Sequence, residues 1–259
     1  MAKLIKGMKL LYSPSGRAGE YADHGFAANL YNGCVHGCDY CYVPACKRML
    51  PSTFHASVTP QKDVLNRLAH DVDPVFLAKQ GIVINEPIFL CFSCDPYPPG
   101  EINGLTREAI RIIMDSDHRV NILTKGGMRV GRDLDLLASK PGNKLGATLT
   151  FTKEADSSIW EPGAALPDDR IEMLRQAHAR GIYTWVSMEP VIDPEQTLAL
   201  IHIVAPFVNQ LRIGKWNHDR RADDIDWKKF HHDAKTALEM YGAQYILKQD
   251  LIEAAGEVR

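Results

Sequence analysis

The sequence FAANLYNGCVHGCDYCY, from Phe26 to Tyr42, joins a short apolar run to a loop that contains three cysteines. The apolar run predicts a buried β-strand, and the Asn and Gly residues that follow it predict a turn. Cys34, Cys38 and Cys41 have the spacing C-x3-C-x2-C within that loop. The chain therefore places a group of soft metal ligands directly after a strand.

Outward from this stretch, short strands alternate with segments of helical periodicity. The predicted strands are Phe26–Tyr31, Ile88–Phe92, Val120–Thr124, Leu145–Thr150, Tyr183–Met188 and Gln210–Ile213, with a seventh candidate at Gln244–Leu247. Helix start signals occur at Thr59-Pro60, Thr106 and Pro167, and Gly181 is a helix stop signal. This alternation predicts parallel βαβ units in a barrel or partial barrel, with an open doubly wound sheet as the alternative.

Length and composition are those of one globular α/β domain over residues 1–259. The chain has 45% apolar residues, 24% charged residues and a net charge of −2, which excludes a mainly disordered protein and a strongly basic nucleic-acid-coating protein. We expect the strand–helix core at about residues 25–215, residues 1–24 outside it, and a C-terminal extension at about 216–259.

The N-terminus and the longest apolar stretch bear on location. The longest apolar stretch, Leu198–Val208, is shorter than the roughly 18 residues of a membrane span. No secretory signal pattern is present at the N-terminus, so the sequence predicts a cytoplasmic protein with reduced thiols.

Polar or reactive side chains follow each predicted strand. They include Ser93, Cys94 and Asp95 after the second strand, Thr124 and Lys125 after the third, and Thr150 after the fourth. In barrels of parallel strands, functional groups collect at the carboxyl ends of the strands. We therefore expect these side chains and the cysteine loop to meet on one face.

Three interpretations of the cysteine loop follow from the spacing alone. Three thiolates fit a cubane iron–sulfur cluster that keeps one iron without a protein ligand, and this interpretation is favoured. A structural zinc site would need a fourth ligand, which would have to be His36 or Cys46. Unligated thiols are the third interpretation.

The motif C-x3-C-x2-C, with Tyr40 before the third cysteine, resembles the signature of the radical S-adenosylmethionine enzymes. The string from Gly33 to Tyr42 is similar to the branch that contains spore photoproduct lyase and its "DNA repair photolyase" relatives. Further similarity lies in DPYPPGE from Asp95 to Glu101, in LTK from Leu123 to Lys125, and in EPG from Glu161 to Gly163 with Arg170.

This resemblance implies a partial (β/α)6 barrel that binds a [4Fe-4S] cluster and S-adenosyl-L-methionine. The implied cluster ligands are Cys34, Cys38 and Cys41. The implied cofactor-binding residues are Tyr40, Ser93, Asp95, Lys125, Thr148, Thr150 and Arg170, with Asp95 at the methionine ammonium and Lys125 at its carboxylate. The implied reaction is reductive cleavage to a 5′-deoxyadenosyl radical, which abstracts hydrogen from a substrate, and the electron would come from a reductant of flavodoxin or ferredoxin type.

The chain departs from spore photoproduct lyase at the hydrogen-donating cysteine, whose position is occupied by Phe92. Cys94 shares the strand parity of Phe92, and Tyr97 offers a ring that can stack on a base, so these two are the candidate catalytic residues. The resemblance implies a nucleobase in DNA or a nucleotide as substrate. A small molecule or peptide substrate, and a zinc-stabilised binding protein without catalysis, remain the alternatives.

Overall fold

The computed structural model describes residues 3–4, 6–100, 104–217 and 219–257, so Glu101 of the second-strand motif lies outside the described residues. The described strands are β1 (Lys3–Leu4), β2 (Tyr12–Ser13), β3 (Ala27–Ala28), β4 (Tyr31–Asn32), β5 (Thr59–Pro60), β6 (Ile88–Leu90), β7 (Val120–Thr124), β8 (Lys144–Thr148), β9 (Tyr183–Val191), β10 (Gln210–Lys215) and β11 (Tyr245–Leu247).

Nine of these strands form one sheet in the order β1-β2-β3-β6-β7-β8-β9-β10-β11. The pairs β1–β2 and β2–β3 are antiparallel, and every pair from β3 to β11 is parallel. Strand order follows chain order throughout. An open doubly wound sheet would reverse its order at a switch point, so the predicted partial barrel is confirmed and the alternative is wrong.

The helices between the strands are α1 (Arg17–Tyr21), α2 (Val43–Lys47), α3 (Pro51–Phe54), α4 (Val64–Asp71), α5 (Pro74–Gln80), α6 (Gly104–Asp115), α7 (Leu134–Ala138), α8 (Glu154–Trp160), α9 (Pro167–Ala179), α10 (Pro194–Val204), α11 (Trp227–Met240) and α12 (Gln249–Ala254). In the part of the chain that the structure describes, 3₁₀ segments lie at Gly127–Asp133 and Arg220–Asp224. Helix α9 ends as predicted, because Gly181 adopts a φ of 75° and its amide donates to the carbonyl of His178.

Two apolar cores lie on the two faces of the sheet. The larger core joins the strands to the helices and includes Ile122 of β7 and Ile110 of α6. The smaller core contains Ala27, Phe89 and Trp185 on the face without helices. That face is the inside of a partial barrel, so alternate residues of each strand point towards the barrel interior. The polar residues at the strand ends line the mouth of the barrel.

The N-terminal segment is part of the core, and the expectation that residues 1–24 lie outside it is wrong. Strands β1 and β2 extend the sheet, and the Tyr21 ring enters the barrel interior beside Phe89 and Trp185. Arg212 of β10 donates to the carbonyl of Tyr21 and to the carboxylate of Asp23. These short elements have weak sequence periodicity, which is why the pattern did not predict them.

The first predicted strand and the helix start at Thr59 need correction. The strand divides at Asn29, whose Oδ1 accepts hydrogen bonds from the amides of Phe92 and Ser93 at 2.8 Å each. Beyond it, β4 pairs with β5 in a separate two-stranded sheet. Thr59-Pro60 is therefore a strand, and the helix begins at Val64.

The C-terminal extension completes the parallel sheet, because the seventh candidate strand, β11, pairs with β10. The second expected helix start, at Thr106, lies within α6, where the Thr106 side chain is buried. Within the described ranges, no helix combines the length and apolarity that a bilayer span requires.

Candidate active site

The cysteine loop is fixed in place by close backbone contacts. Gly33 has a φ of 74°, and a Cβ there would lie 2.1 Å from the carbonyl oxygen of Ser57, so this position requires glycine. On the other side, the amide of Gly163 donates to the carbonyl of His36 at 2.9 Å. The amide of Asp39 donates to the carbonyl of Trp160 at 2.9 Å. The loop is thus held between α3 and the end of α8.

The thiols of the loop lie in an environment that suits an inorganic cluster. Cys38 is buried, whereas Cys34 and Cys41 are half-buried. Burial raises the pKa of all three thiols, that of Cys38 to about 11, and the ammonium of Lys125 acts in the opposite direction on each. Burial alone favours the neutral thiol, whereas the cationic neighbour favours the thiolate, which is the form that binds metal. The donor set therefore fits a cluster held by three cysteines.

The ligand geometry of a single metal ion is not found among the described residues, where no three His, Cys, Asp or Glu side chains come together closely enough. A cubane binds each cysteine to a different iron, so its ligands lie farther apart than those of one zinc ion. His36 is engaged elsewhere, and Cys46 is exposed on α2. The zinc interpretation with either residue as the fourth ligand loses its support.

His36 connects the cysteine loop to the strand ends. Its Nε2 lies 3.0 Å from Nη2 of Arg129, and its Nδ1 lies 3.4 Å from Oδ2 of Asp95. Because a guanidinium only donates, Nε2 accepts and Nδ1 carries the proton towards Asp95. Burial lowers the pKa of His36 to about 4, so the ring is neutral at pH 7. The neutral His36 side chain therefore links the cysteine loop to Arg129 and Asp95.

Asp95 lies at the centre of a buried hydrogen-bond network. Its Oδ1 accepts from Thr124 Oγ1 at 2.6 Å and from the amide of Tyr97 at 2.8 Å, and its Oδ2 accepts from the amide of Lys125 at 2.8 Å. Burial tends to raise the pKa of Asp95, but His36 and these donors outweigh it and the pKa is lowered. Asp95 therefore fixes the chain after β7, and its expected contact with a methionine ammonium stays a prediction.

Tyr40 and Lys125 face each other beside the cluster loop. The Lys125 Nζ lies 5.4 Å from the centroid of the Tyr40 ring, within the range of a cation–π contact. The Tyr40 hydroxyl lies 3.3 Å from Thr150 Oγ1 and donates to Oε1 of Glu161. Burial tends to lower the pKa of Lys125, but Cys38 and Glu161 nearby raise it above its ordinary value, so this residue carries a positive charge.

Arg170 and Glu161 form a buried ion pair behind Tyr40. The Arg170 Nη2 donates to Glu161 Oε2 at 2.5 Å, and both side chains are 1% exposed. Arg170 also donates to the carbonyls of Ala165 at 2.7 Å and Thr148 at 2.9 Å. Its donors are thus directed to the protein, and Arg170 supports the site from behind. Its expected contact with the cofactor stays a prediction.

Thr148 ends β8 with its side chain on the interior face of the strand, and Thr150 follows two residues later, with its Oγ1 3.3 Å from the Tyr40 hydroxyl. Both are buried. Ser93 follows β6 and is half-buried, with its amide bound to Asn29. The structure therefore brings the three expected cofactor-binding hydroxyl residues to the same edge as Lys125 and the cysteine loop, and their contacts with a cofactor remain predictions.

No protein-family model matches the sequence of this chain. The uncharacterised protein ORF301 of Acidianus two-tailed virus is 28% identical in an alignment of 207 positions, and the match covers 74% of this chain. The chain spans 64% of that viral protein, slightly under two thirds of its length.

Solved structures give a more extensive match. A spore photoproduct lyase variant aligns with a TM-score of 0.69 and 15% identity over 95% of this chain and 81% of its own chain. This chain has the fold of spore photoproduct lyase. The same enzyme complexed with dinucleoside spore photoproduct aligns with a TM-score of 0.67 and 16% identity over 94% of this chain and 80% of that one.

A second structural neighbour is SuiB of Streptococcus suis bound to S-adenosylmethionine. It aligns with a TM-score of 0.61 and 9% identity over 88% of this chain and 48% of SuiB. The expected resemblance to the branch of spore photoproduct lyase is confirmed as a common fold. Identities below one fifth leave activity and substrate to be argued from the site itself.

The structure places the candidate catalytic residues Cys94 and Tyr97 at the larger apolar core. Strand β6 ends at Leu90, so alternation does not extend to Cys94, which packs against the larger core and shares a hydrogen bond with Cys91. Phe92 points into the barrel and stacks on Phe89 at 4.1 Å. Strand alternation therefore gives no support to Cys94, and its catalytic role stays a prediction.

Tyr97 is fully buried in the larger core, and its hydroxyl donates to Oδ2 of Asp133 at 2.9 Å. A phenol in this position cannot stack on a base in the barrel, so we assign it no contact with substrate. Its role is to hold the chain after β6, because its amide binds Asp95. Burial and the neighbouring carboxylate of Asp133 raise its pKa.

The sequence analysis assigned no cofactor contact to several polar residues of the site. Glu161 and its buried partner Arg170 lie in one quoted motif, whereas His36 and its buried partner Asp95 lie in two different motifs. Ser187 and Glu189 follow the interior parity of β9, and both contact the Tyr21 hydroxyl. Strand parity alone would have directed these two into the barrel; their tyrosine partner lies on the unpredicted helix α1.

Proposed function

We propose that this chain is a radical S-adenosylmethionine enzyme that acts on a nucleobase in DNA or on a nucleotide. The observation that carries the proposal is the position of Lys125, whose ammonium acts on the thiols of Cys34, Cys38 and Cys41 at the carboxyl edge of a partial barrel. The spore photoproduct lyase fold supports it, because that fold also provides a neighbour with bound AdoMet and dinucleoside spore photoproduct.

The three cysteines would hold a [4Fe-4S] cluster in this proposal. Together with S-adenosylmethionine, the bound cluster would supply one-electron cleavage to methionine and a 5′-deoxyadenosyl radical that abstracts hydrogen from the substrate. The protein's part is to fix the loop, exclude water from it and place charge beside it. The contacts of Gly33 with α3 and of Gly163 with His36 fix the loop, and burial of Cys38 excludes water.

Lys125 and Tyr40 would bind the organic cofactor. The Lys125 ammonium is the available partner for a carboxylate, since Cys38 and Glu161 raise its pKa above the ordinary value despite its burial. Tyr40 presents its ring towards Lys125 while Glu161 holds its hydroxyl. Thr148 and Thr150 offer hydroxyls on the neighbouring strand, which suits ribose contacts.

The substrate space lies in the barrel mouth above Phe92. The Phe92 ring occupies the interior, and Tyr42 donates from the rim to the carbonyl of Phe92 at 3.1 Å. Glu189 and Ser187 lie on the far wall, bound to Tyr21. A mouth with a flat ring and hydrogen-bonding groups suits a nucleobase, which needs stacking and edge contacts.

The test is cofactor cleavage after anaerobic reconstitution of the cluster, with dithionite as reductant. We expect 5′-deoxyadenosine formation that an oligonucleotide or dinucleotide stimulates, and that Lys125→Ala reduces by at least about tenfold through weaker cofactor binding. Stimulation by a peptide or an unrelated small molecule but not by nucleotides would contradict the nucleic-acid substrate. Absence of any cleavage with a fully loaded cluster would overturn the enzymatic proposal.

A further inference from the structure

The segment that follows the cluster loop is unusual in its charge. Residues 40–62 contain no Asp or Glu but include Lys47, Arg48 and Lys62, in a chain whose net charge is −2. Residues 45–53 are all exposed. Within them, Met49 is 40% exposed and Leu50 is 71% exposed. We call residues 45–53 the basic surface: two cations next to two exposed apolar side chains.

The basic surface is built on the cluster loop itself. Helix α2 begins two residues after Cys41, and α3 ends at Phe54, whose carbonyl accepts from the amide of Cys34 at 3.4 Å. The Lys47 Nζ lies 5.8 Å from the centroid of the buried Phe54 ring. The segment that carries the basic surface is therefore connected to the loop at both its ends. A helix of this length separates Lys47 from Cys41 by only about 10 Å.

The acids that flank this segment in sequence are engaged with other groups. Asp39 in the loop pairs with Arg221 at 3.4 Å. Asp63 accepts from the Asn66 side chain at 2.6 Å. Within the described part of the chain, neither Lys47 nor Arg48 forms an ion pair with a carboxylate. The surface thus presents a positive charge to a partner.

We propose that the basic surface is the docking site of an acidic one-electron carrier protein, such as a flavodoxin or an acidic ferredoxin. This inference rests on the proposed function, which requires an electron at the cluster. In this step one electron leaves the reduced carrier and reduces the oxidised cluster by one, and no bond forms or breaks. Electron-transfer encounters use small interfaces, below about 1,200 Å², so a few side chains suffice.

The chemistry of the surface favours a protein partner over nucleic acid. Two exposed apolar side chains, Met49 and Leu50, lie between the cations and the start of α3. Met is enriched in the cores of protein interfaces, whereas nucleic-acid surfaces are far richer in cations. Opposite charges around a small apolar centre speed the encounter without making it tight.

The test compares charge reversal on this surface with charge reversal elsewhere. The variant is Lys47→Glu with Arg48→Glu, and the matched control is Lys228→Glu with Lys229→Glu on α11, which packs against α10 and α12 on the outside of the barrel. None of the four side chains belongs to the proposed cofactor site. Each cluster-loaded protein is titrated with a purified flavodoxin at low and high salt, and its affinity is measured together with cofactor cleavage driven either by reduced flavodoxin or by dithionite.

We expect Lys47→Glu with Arg48→Glu to weaken flavodoxin binding by about tenfold or more at low salt and to lower flavodoxin-driven cleavage in parallel. Dithionite-driven cleavage by this variant should stay near the wild-type level. The control variant should match wild type in both flavodoxin affinity and cleavage. Leu50→Ala should weaken flavodoxin binding by a smaller factor that salt does not change. The effect of the charge variants should shrink as salt rises.

Unchanged flavodoxin affinity and flavodoxin-driven cleavage in the double variant would overturn the docking proposal while the dithionite activity remains. Loss of oligonucleotide stimulation under dithionite would also overturn it, since the surface would then bind nucleic acid. Failure of the proposed function is distinct: wild type itself would not cleave the cofactor with dithionite, whatever its affinity for flavodoxin.

Discussion

At the level of single residues, the carboxylate of Glu161 organises the back of the site. It accepts from Arg170 Nη2 and from the Tyr40 hydroxyl, and Ser157 lies 3.3 Å from its Oε2. Burial tends to raise the pKa of Glu161, but the charges of Arg170 and Lys125 lower it overall, so the group is ionised. The negative charge of Glu161 balances the positive charge of the buried Arg170 guanidinium.

Glu161→Gln should therefore cost more stability than its small change in shape suggests. Removal of one partner from a buried ion pair leaves the other charge uncompensated, and we expect a loss of about 3 kcal/mol in the free energy of unfolding. Urea unfolding followed by far-UV circular dichroism measures it. The control is Glu172→Gln on the exposed face of α9, which should change stability by less than about 0.5 kcal/mol. Equal stability of the two variants would contradict the role of Glu161.

A pH-dependent contribution is expected from Asp23, which joins the N-terminal segment to Lys144 and Arg212. Burial tends to raise the pKa of Asp23, but the two cations outweigh it and the pKa is lowered from 3.8. A carboxyl with a lower pKa in the folded state stabilises the fold above its ordinary pKa and loses this contribution as the pH falls through the lowered value. The Asp23 carboxylate should therefore stabilise the fold at neutral pH and lose this stabilising effect in strong acid.

Asp23→Asn tests this at a position where φ is 49°, which Asn tolerates. We expect a loss of about 1.5 kcal/mol at pH 7, since the carboxylate is a quarter exposed, and a shrinking difference from wild type as the pH falls below about 4. The control is Asp117→Asn, which has a similar φ of 63° and an exposed side chain, and should leave stability unchanged. A difference that persists undiminished in acid would refute the assignment.

At the level of elements, the packing of β8 against β9 sets the barrel interior. Gly146 pairs with Trp185, and a Cβ at Gly146 would lie 2.5 Å from the indole. The indole Nε1 donates to Oδ1 of Asn121 at 2.9 Å, which fixes its orientation. The close approach of a backbone to this ring explains the glycine in the middle of a strand.

Gly146→Ala should destabilise the protein by about 1–3 kcal/mol, because the added methyl group overpacks the interior. Thermal unfolding and near-UV circular dichroism of the tryptophans measure the effect. Gly104→Ala is the control, since a Cβ there meets nothing within 4 Å and α6 gains helix propensity. A neutral Gly146→Ala variant with an unchanged tryptophan signal would mean that the indole lies elsewhere.

The sequence pattern was informative where elements are long and periodic. Strands β7 and β9, helix α9 and the cysteine loop carried clear signals, and their parallel order followed from the βαβ alternation. Strand alternation does not extend to Cys94 because β6 ends at Leu90, and strand ends are poorly marked in sequence. The pairings of Glu161 with Tyr40 and of His36 with Arg129 depend on tertiary contacts between distant segments, which no local pattern carries.

At the level of the whole molecule, the N-terminal segment closes the interior of the incomplete barrel. Tyr21 contacts β9 through Ser187, and the Lys248 Nζ lies 4.0 Å from the centroid of its ring. Lys248 also pairs with Glu20 at 3.1 Å. Helix α1 thus links strand β9 to the residue that follows β11, across the side of the barrel that the sheet leaves open.

A chain without residues 1–24 should therefore be much less stable than the whole chain. Loss of the half-buried Tyr21 ring alone should cost about 2–3 kcal/mol, a substantial part of the stability of a typical domain. Tyr21→Ala provides a milder version, and Tyr21→Phe retains the packing as its control. Cooperative unfolding of the shortened chain at the wild-type temperature would contradict the closing role of the N-terminal segment.

The central claim is that three cysteines, and no fourth side chain, hold a cubane cluster. Its most direct test is iron, sulfide and zinc analysis with Mössbauer spectroscopy on anaerobically reconstituted protein. We predict about four iron and four sulfide per chain in wild type and in Cys46→Ala, and none in Cys38→Ala. One zinc per chain without iron, or a cluster that survives Cys38→Ala, would contradict the account.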